Sequence, residues 1–150
     1  MKNINIIVDA SGSMGEDEKN AVVKYLLNGM SSVQKNKSLD ISLSMYQWGV
    51  ETKKIEDIEK AKISFVGKNT IEGLDALCSL LDSQDAVILI SDGNFESDVK
   101  KKIKELSNNI LPIFVGVDAN RSILKDISTS RIVYSVVDFV QALFDAYIIK

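Results

Sequence analysis

The chain has 150 residues, enough for one ordinary domain over 1–150 with a single substantial core. It is 45% hydrophobic and 26% charged, as expected for a folded globular protein, and its net charge of -3 disfavours a nucleic-acid-binding function. It has no histidine, which excludes Ser-His-Asp triads and most zinc sites. Its one cysteine, Cys78, excludes an internal disulfide.

The first apolar run is short, since Asn5 interrupts it and Asp9 ends it. Such a run is typical neither of a secretion signal nor of a membrane span. We therefore expect a cytoplasmic protein without a membrane association.

In the first half of the chain, residues 4–8 form a continuous apolar run, which predicts a buried parallel strand. Residues 18–33 carry apolar side chains at helical spacing and predict an amphipathic helix. Residues 39–46 alternate between apolar and polar and predict a half-exposed strand. Residues 47–66 lack a clear period, and we expect a short edge strand and turns there.

The second half of the chain alternates helices with strands. The periodicities predict helices over 71–81, 95–106, 120–127 and 136–149, and strands over 86–90, 110–117 and 132–134. Asn120 is a plausible cap of the third of these helices. This alternation predicts a doubly wound, Rossmann-like α/β sandwich of three layers. We expect a mostly parallel six-stranded sheet of order 3-2-1-4-5-6 with an antiparallel edge strand.

Polar side chains follow two of the predicted buried strands. Asp9, Ser11 and Ser13 alternate directly after the first strand, and Asp92 follows the strand over 86–90. In the predicted strand order, these two strands flank the point where the order reverses, where doubly wound sheets bind ligands. Carboxylate and hydroxyl oxygens suit Mg²⁺ or Mn²⁺ better than softer metals. Each group also has a structural interpretation, as a turn or a helix cap, and Thr70 at the start of a predicted helix has the same two interpretations.

Together these residues resemble the metal-ion-dependent adhesion site of the von Willebrand factor A domain family. The family pattern is Asp-x-Ser-x-Ser, a distant Thr, and an Asp that is usually followed by Gly. The matching positions, in order, are Asp9, Ser11, Ser13, Thr70 and Asp92. The chain departs from the pattern at Gly67-Lys68-Asn69-Thr70, where the family often has Gly-Gly-Thr.

The resemblance implies a protein that is not an enzyme, is a monomer on its own and binds another protein. The five residues would hold Mg²⁺ (or Mn²⁺), and an Asp or Glu of the partner would complete the coordination. We expect surrounding contacts from Met14 and from the loops over 67–69 and 93–96. Single-domain family members without secretion signals occur in bacterial stress-response settings, but no residue here identifies the partner.

Two alternatives remain open at this point. One is a phosphohydrolase of the haloacid-dehalogenase type, with Asp9 as the nucleophile and with Asp92 and Asp98 holding Mg²⁺. That chemistry needs Asp-x-Asp, and Ser11 stands at the second position, where a hydroxyl cannot act as the general acid. The other alternative is a metal-free scaffold of the same fold.

Overall fold

Five strands form one sheet in the structure, a computed structural model that describes residues 1–36 and 39–149. The strands are β1 (Lys2–Asp9), β2 (Ile41–Trp48), β3 (Lys53–Ile55), β4 (Ala86–Ser91) and β5 (Ile110–Phe114). Their order is β3-β2-β1-β4-β5. All neighbours pair in parallel except β2 and β3, so the antiparallel edge strand is confirmed.

The predicted sixth strand over 132–134 is wrong. Within the described ranges, the backbone of this segment pairs with the sheet only through a single bridge between Tyr134 and Ile113. Thr129 already occupies the edge of β5, because its backbone N–H and hydroxyl oxygen pair with the backbone of Ile110. Pro112 offers no N–H along that edge. The segment therefore reaches β5 at Tyr134 alone, and the sheet has five strands instead of six.

Among the described residues, five α-helices cover the two faces of the sheet. They are α1 (Lys19–Lys35), α2 (Ile71–Leu80), α3 (Ser97–Ile103), α4 (Arg121–Ile127) and α5 (Phe139–Ile148). Apolar side chains of α1 and α5 share one core with one face of the sheet, and those of α2, α3 and α4 share a second core with the other face. The predicted three-layer α/β architecture is confirmed. None of the described helices combines the length and the apolar character that a membrane crossing requires.

The sheet positions two strand ends side by side. Ile4 to Val8 of β1 pair in parallel register with Ala86 to Ile90 of β4, and all of these side chains except that of Asn5 are apolar and buried. Strand order reverses between β1 and β4, because β2 follows β1 on one side and β5 follows β4 on the other. The carboxyl ends of both strands therefore face the same crevice, as the sequence predicts.

Candidate functional site

Asp9, the last residue of β1, is completely buried at the carboxyl edge of the sheet. Its Oδ1 accepts hydrogen bonds from the backbone N–H of Ser11 at 3.0 Å and from Nδ2 of Asn69 at 2.7 Å. Its Oδ2 accepts from the hydroxyl of Ser91 at 2.7 Å. Burial raises the pKa of Asp9, and the bonds from Asn69, Ser91 and Ser11 oppose that rise. The carboxylate is thus fixed in orientation and poor in compensating positive charge.

Ser11 and Ser13 lie where β1 passes into a 3₁₀ turn over Gly12–Gly15. Their hydroxyl oxygens are 3.2 Å apart, so both side chains point the same way, as their spacing predicts. The backbone N–H of Gly12 donates to the carbonyl of Gly67 at 2.9 Å, which holds this turn against the loop before α2. Two hydroxyls are therefore presented together beside the buried Asp9.

Asp92 follows β4 directly and is also buried. Its Oδ1 accepts from the backbone N–H of Asn94 at 3.2 Å, and its Oδ2 lies 3.4 Å from Nζ of Lys19. Ser91 links the two aspartates, since its hydroxyl donates to Asp9 and its backbone leads directly into Asp92. The structure thus brings Asp9, Ser11, Ser13 and Asp92 to one place.

Thr70 caps α2, and its hydroxyl accepts from the backbone N–H of Gly73 at 3.0 Å. Its carbonyl accepts from the indole N–H of Trp48 at 3.0 Å, so β2 holds the start of α2 in place. In this loop it is Asn69, one residue earlier, whose side chain reaches the carboxylate of Asp9. Thr70 therefore adjoins the site and has the structural role that its position at a helix start predicts.

An open groove of about 310 Å³ lies over these residues. Its lining residues are Ser11, Ser13, Gly67, Lys68, Asn69, Asn94, Phe95, Glu96 and Val99. Residues of the loops over 67–69 and 93–96 line this groove, and their contacts to a partner stay a prediction. Met14 is completely buried in the core, so the expectation that it supplies surrounding contacts is wrong.

The structure adds to the site a buried lysine, Lys19, which the sequence did not predict there. Nζ of Lys19 lies 2.8 Å from a carboxylate oxygen of Asp118 and 3.3 Å from the carbonyl of Ser13, in addition to its contact with Asp92. Burial lowers the pKa of Lys19, but its contacts with Asp118 and Asp92 outweigh that effect, and the pKa is raised overall. The same contact with Lys19 lowers the pKa of Asp118. The sequence does contain a pattern that indicates burial of this lysine, because Lys19 lies at helical spacing from Val23, Leu26 and Met30.

The donor chemistry of the site fits a hard divalent cation. Within the described ranges, no three carboxylate, cysteine or histidine side chains cluster at one place, so the available set is two carboxylates with neighbouring hydroxyls. All of these donors are oxygen atoms, which Mg²⁺ and Mn²⁺ prefer. Ser11 and Ser13 are the members that line the open groove, while Asp9 and Asp92 lie buried.

Comparison with solved structures supports the same fold. BatB from Bacteroides thetaiotaomicron superposes with a TM-score of 0.70 at 13% identity, over 97% of this chain and 98% of that one. The chain has a von Willebrand factor A-like fold. Manganese-loaded TRAP from Plasmodium vivax matches with a TM-score of 0.68 at 22% identity, over 96% of this chain and 71% of that one.

A further structure with this von Willebrand factor A-like fold is proximal thread matrix protein 1 from the mussel byssus, with a zinc-occupied metal-ion-dependent adhesion site. It matches with a TM-score of 0.67 at 20% identity, over 97% of this chain but only 44% of that one. No protein-family model and no curated protein matches the sequence.

Proposed function

We propose that this protein is a metal-dependent protein–protein interaction module that does no catalysis. A divalent cation, Mg²⁺ or Mn²⁺, would bind at Asp9, Ser11, Ser13, Thr70 and Asp92, and a partner protein would present an Asp or a Glu to it. The observation that carries the proposal is the pair of hydroxyls of Ser11 and Ser13, 3.2 Å apart on the lining of an open groove, beside two buried carboxylates.

Each residue has a definite part in this proposal. The hydroxyls of Ser11 and Ser13 are neutral donors that face the groove, and the hydroxyl of Thr70 retains acceptor capacity beyond its bond from Gly73. Asp9 and Asp92 supply the negative charge from buried positions next to these hydroxyls. When bound, the cation supplies a positive centre with which a carboxylate from a partner forms a charge-assisted contact.

The groove has the character of a site for a side chain from another protein. Phe95 and Val99 are its apolar lining residues, and Lys68, Asn69 and Asn94 are among its polar lining residues. An Asp or Glu of a partner would place its methylenes on the apolar residues and its carboxylate toward Ser11 and Ser13. The metals named for TRAP and for the mussel protein support a divalent cation in this fold.

The metal site is tested by titration calorimetry of the metal-free protein with Mn²⁺ and with Mg²⁺. We expect modest affinity for wild type, because only two of the proposed ligands are charged, and no binding by Asp9→Ala. Ser13→Ala should weaken binding while its melting temperature stays close to that of wild type, because Ser13 is only half-buried. Equal metal affinity in wild type and Asp9→Ala would refute this site.

Asp98→Ala is the matched control variant, because Asp98 is an exposed carboxylate at the start of α3. Its Oδ1 accepts from the backbone N–H of Val99 at 2.9 Å. The interaction module predicts unchanged metal affinity in this variant. The phosphohydrolase alternative uses Asp98 as a ligand and predicts a loss of metal affinity, together with Mg²⁺-dependent hydrolysis of an aryl phosphate by the wild type. Such hydrolysis, abolished by Asp9→Ala, would overturn the proposal.

The partner is tested by capture on immobilised protein with and without a chelator, and with Asp9→Ala as bait. A partner of the proposed kind is retained by wild type with Mg²⁺ or Mn²⁺ and is lost in both other conditions. A partner whose retention is the same in all conditions would place the binding surface elsewhere.

A further inference from the structure

Lys19 is buried between two carboxylates, and its side chain is only 2% exposed. Its ammonium contacts Asp92, which the proposed metal site includes, and Asp118, which lies outside that site. We infer that Lys19 is an internal counter-cation that competes with the divalent ion for Asp92 and is drawn onto Asp118 when the ion binds. The inference rests on the proposed function.

The fold has a built place for this lysine. Lys19 is the first residue of α1, on the stripe that continues with Val23, Leu26 and Met30 into the core. Gly116 makes room for its stem, because a Cβ at that position would lie 2.5 Å from Cε of Lys19 and 2.8 Å from Oδ1 of Asp118. Gly116 also has a φ of +93°, which favours glycine. A side chain at position 116 would therefore displace the lysine or its partner.

The two carboxylates differ in a way that suits an exchange. The Lys19–Asp92 distance is 3.4 Å and the Lys19–Asp118 distance is 2.8 Å. Asp92 is buried, whereas the side chain of Asp118 is 50% exposed. A cation held near Asp92 repels the ammonium, and this repulsion is strong where water is excluded. Asp118, whose carboxylate already lies 2.8 Å from the ammonium, then remains as its charged partner.

The segment that carries Asp118 is itself attached to the site. The backbone N–H of Asn120 donates to the carbonyl of Asp92 at 2.7 Å, and that of Ala119 donates to the carbonyl of Gly116 at 3.3 Å. The distance between Asp92 and Asp118 is thus held by the backbone, with Lys19 between them.

Four proteins test the inference: wild type, Lys19→Met, Asp118→Asn and the double variant. Lys19→Met removes the competing charge and keeps an unbranched side chain, so its Mn²⁺ affinity by calorimetry should rise by about tenfold or more. Asp118→Asn leaves the ammonium with Asp92 as its charged partner, so Mn²⁺ affinity should fall by about threefold or more. In the Lys19→Met background, Asp118→Asn should change the affinity little, because Asp118 acts through the lysine.

Melting temperatures give a readout that does not depend on the partner. Metal-free Lys19→Met should melt below wild type, because Asp92 stays buried without its counter-charge, and Mn²⁺ should raise its melting temperature more than that of wild type. If wild type binds Mn²⁺ and the affinities of Lys19→Met and Asp118→Asn equal that of wild type, the inference about Lys19 is overturned while the metal site stands. If none of the four proteins binds Mn²⁺, both are overturned. If Lys19→Met fails to fold, the Mn²⁺ affinity of Asp118→Asn still tests the inference, because Asp118 is half exposed.

Discussion

Ser91→Ala tests whether the buried hydrogen bonds around Asp9 organise the site. Ser91 is completely buried at the end of β4, and its hydroxyl donates to Oδ2 of Asp9 at 2.7 Å. The same oxygen accepts from the backbone N–H of Gly93 at 2.9 Å. Alanine removes one oxygen atom and creates little empty space, so the effect comes from these two bonds.

The size of the effect follows from the two bonds. A hydrogen bond to a charged group contributes about 1.5–3 kcal/mol, and a buried N–H left without an acceptor costs about 1–3 kcal/mol. The two contributions share one oxygen and are not additive, so we expect a loss of about 3 kcal/mol in the free energy of unfolding. For a domain of this size, that loss lowers the melting temperature by about 6–12 °C.

Urea unfolding of the metal-free protein, followed by far-ultraviolet circular dichroism, measures this loss. Ser79→Ala is the matched control, because Ser79 is exposed and its hydroxyl donates to the carbonyl of Asp75 at 3.2 Å, within its own helix. The control should change the free energy of unfolding by no more than about 0.5 kcal/mol. A loss below about 1 kcal/mol for Ser91→Ala, with an unchanged urea dependence, would refute the claim that this network organises the site.

Two further predictions concern the same edge of the sheet. Burial raises the pKa of Asp9 above its ordinary value of 3.8. Between the pKa of the unfolded state and that of the folded state, Asp9 is protonated mainly in the folded state. The free energy of unfolding of the metal-free protein should therefore fall as pH rises through that window. Asp9→Asn removes this dependence, so its stability relative to wild type should increase with pH over the window; a difference that does not vary with pH would contradict the assignment. Gly93 has a φ of +76°, and a Cβ there would lie 2.6 Å from the carbonyl oxygen of Asn120, so Gly93→Ala should destabilise the protein by about 2–4 kcal/mol in urea unfolding. Gly12→Ala, where the nearest atom to a Cβ lies at 3.5 Å, is its control and should cost less than about 1 kcal/mol; equal losses in both variants would exclude backbone strain as the cause.

The strand and helix order could be predicted because hydrophobic periodicity reports which faces are buried. The buried runs from Ile4 to Val8 and from Ala86 to Ile90 form adjacent strands. The predicted convergence of Asp9 and Asp92 depends on this adjacency. The prediction of a sixth strand failed because a strand forms there only if the outer edge of β5 is free to pair. Thr129 occupies that edge, and this contact cannot be derived from local pattern.

The site was predictable to the extent that strand ends determine it. Asp9, Ser11, Ser13 and Asp92 converge because each follows a strand or turn whose position the topology sets. Lys19 was missed because a lysine at a helix start is usually solvated, and its burial here depends on Asp118, 99 positions along the chain. Asn69 reaches Asp9 through a loop conformation that the sequence does not specify.

Trp48 makes the molecule its own optical reporter. It is the only tryptophan of the chain and is completely buried, so its fluorescence in the native state should lie at short wavelength and shift to the red on unfolding. Its ring lies 5.4 Å from that of Phe95, and Phe95 lines the groove beside Ser11 and Ser13. Its indole N–H also holds the carbonyl of Thr70. Occupation of the groove should therefore alter the emission of a single, unlabelled chromophore, so that binding can be followed in real time without modification of the protein.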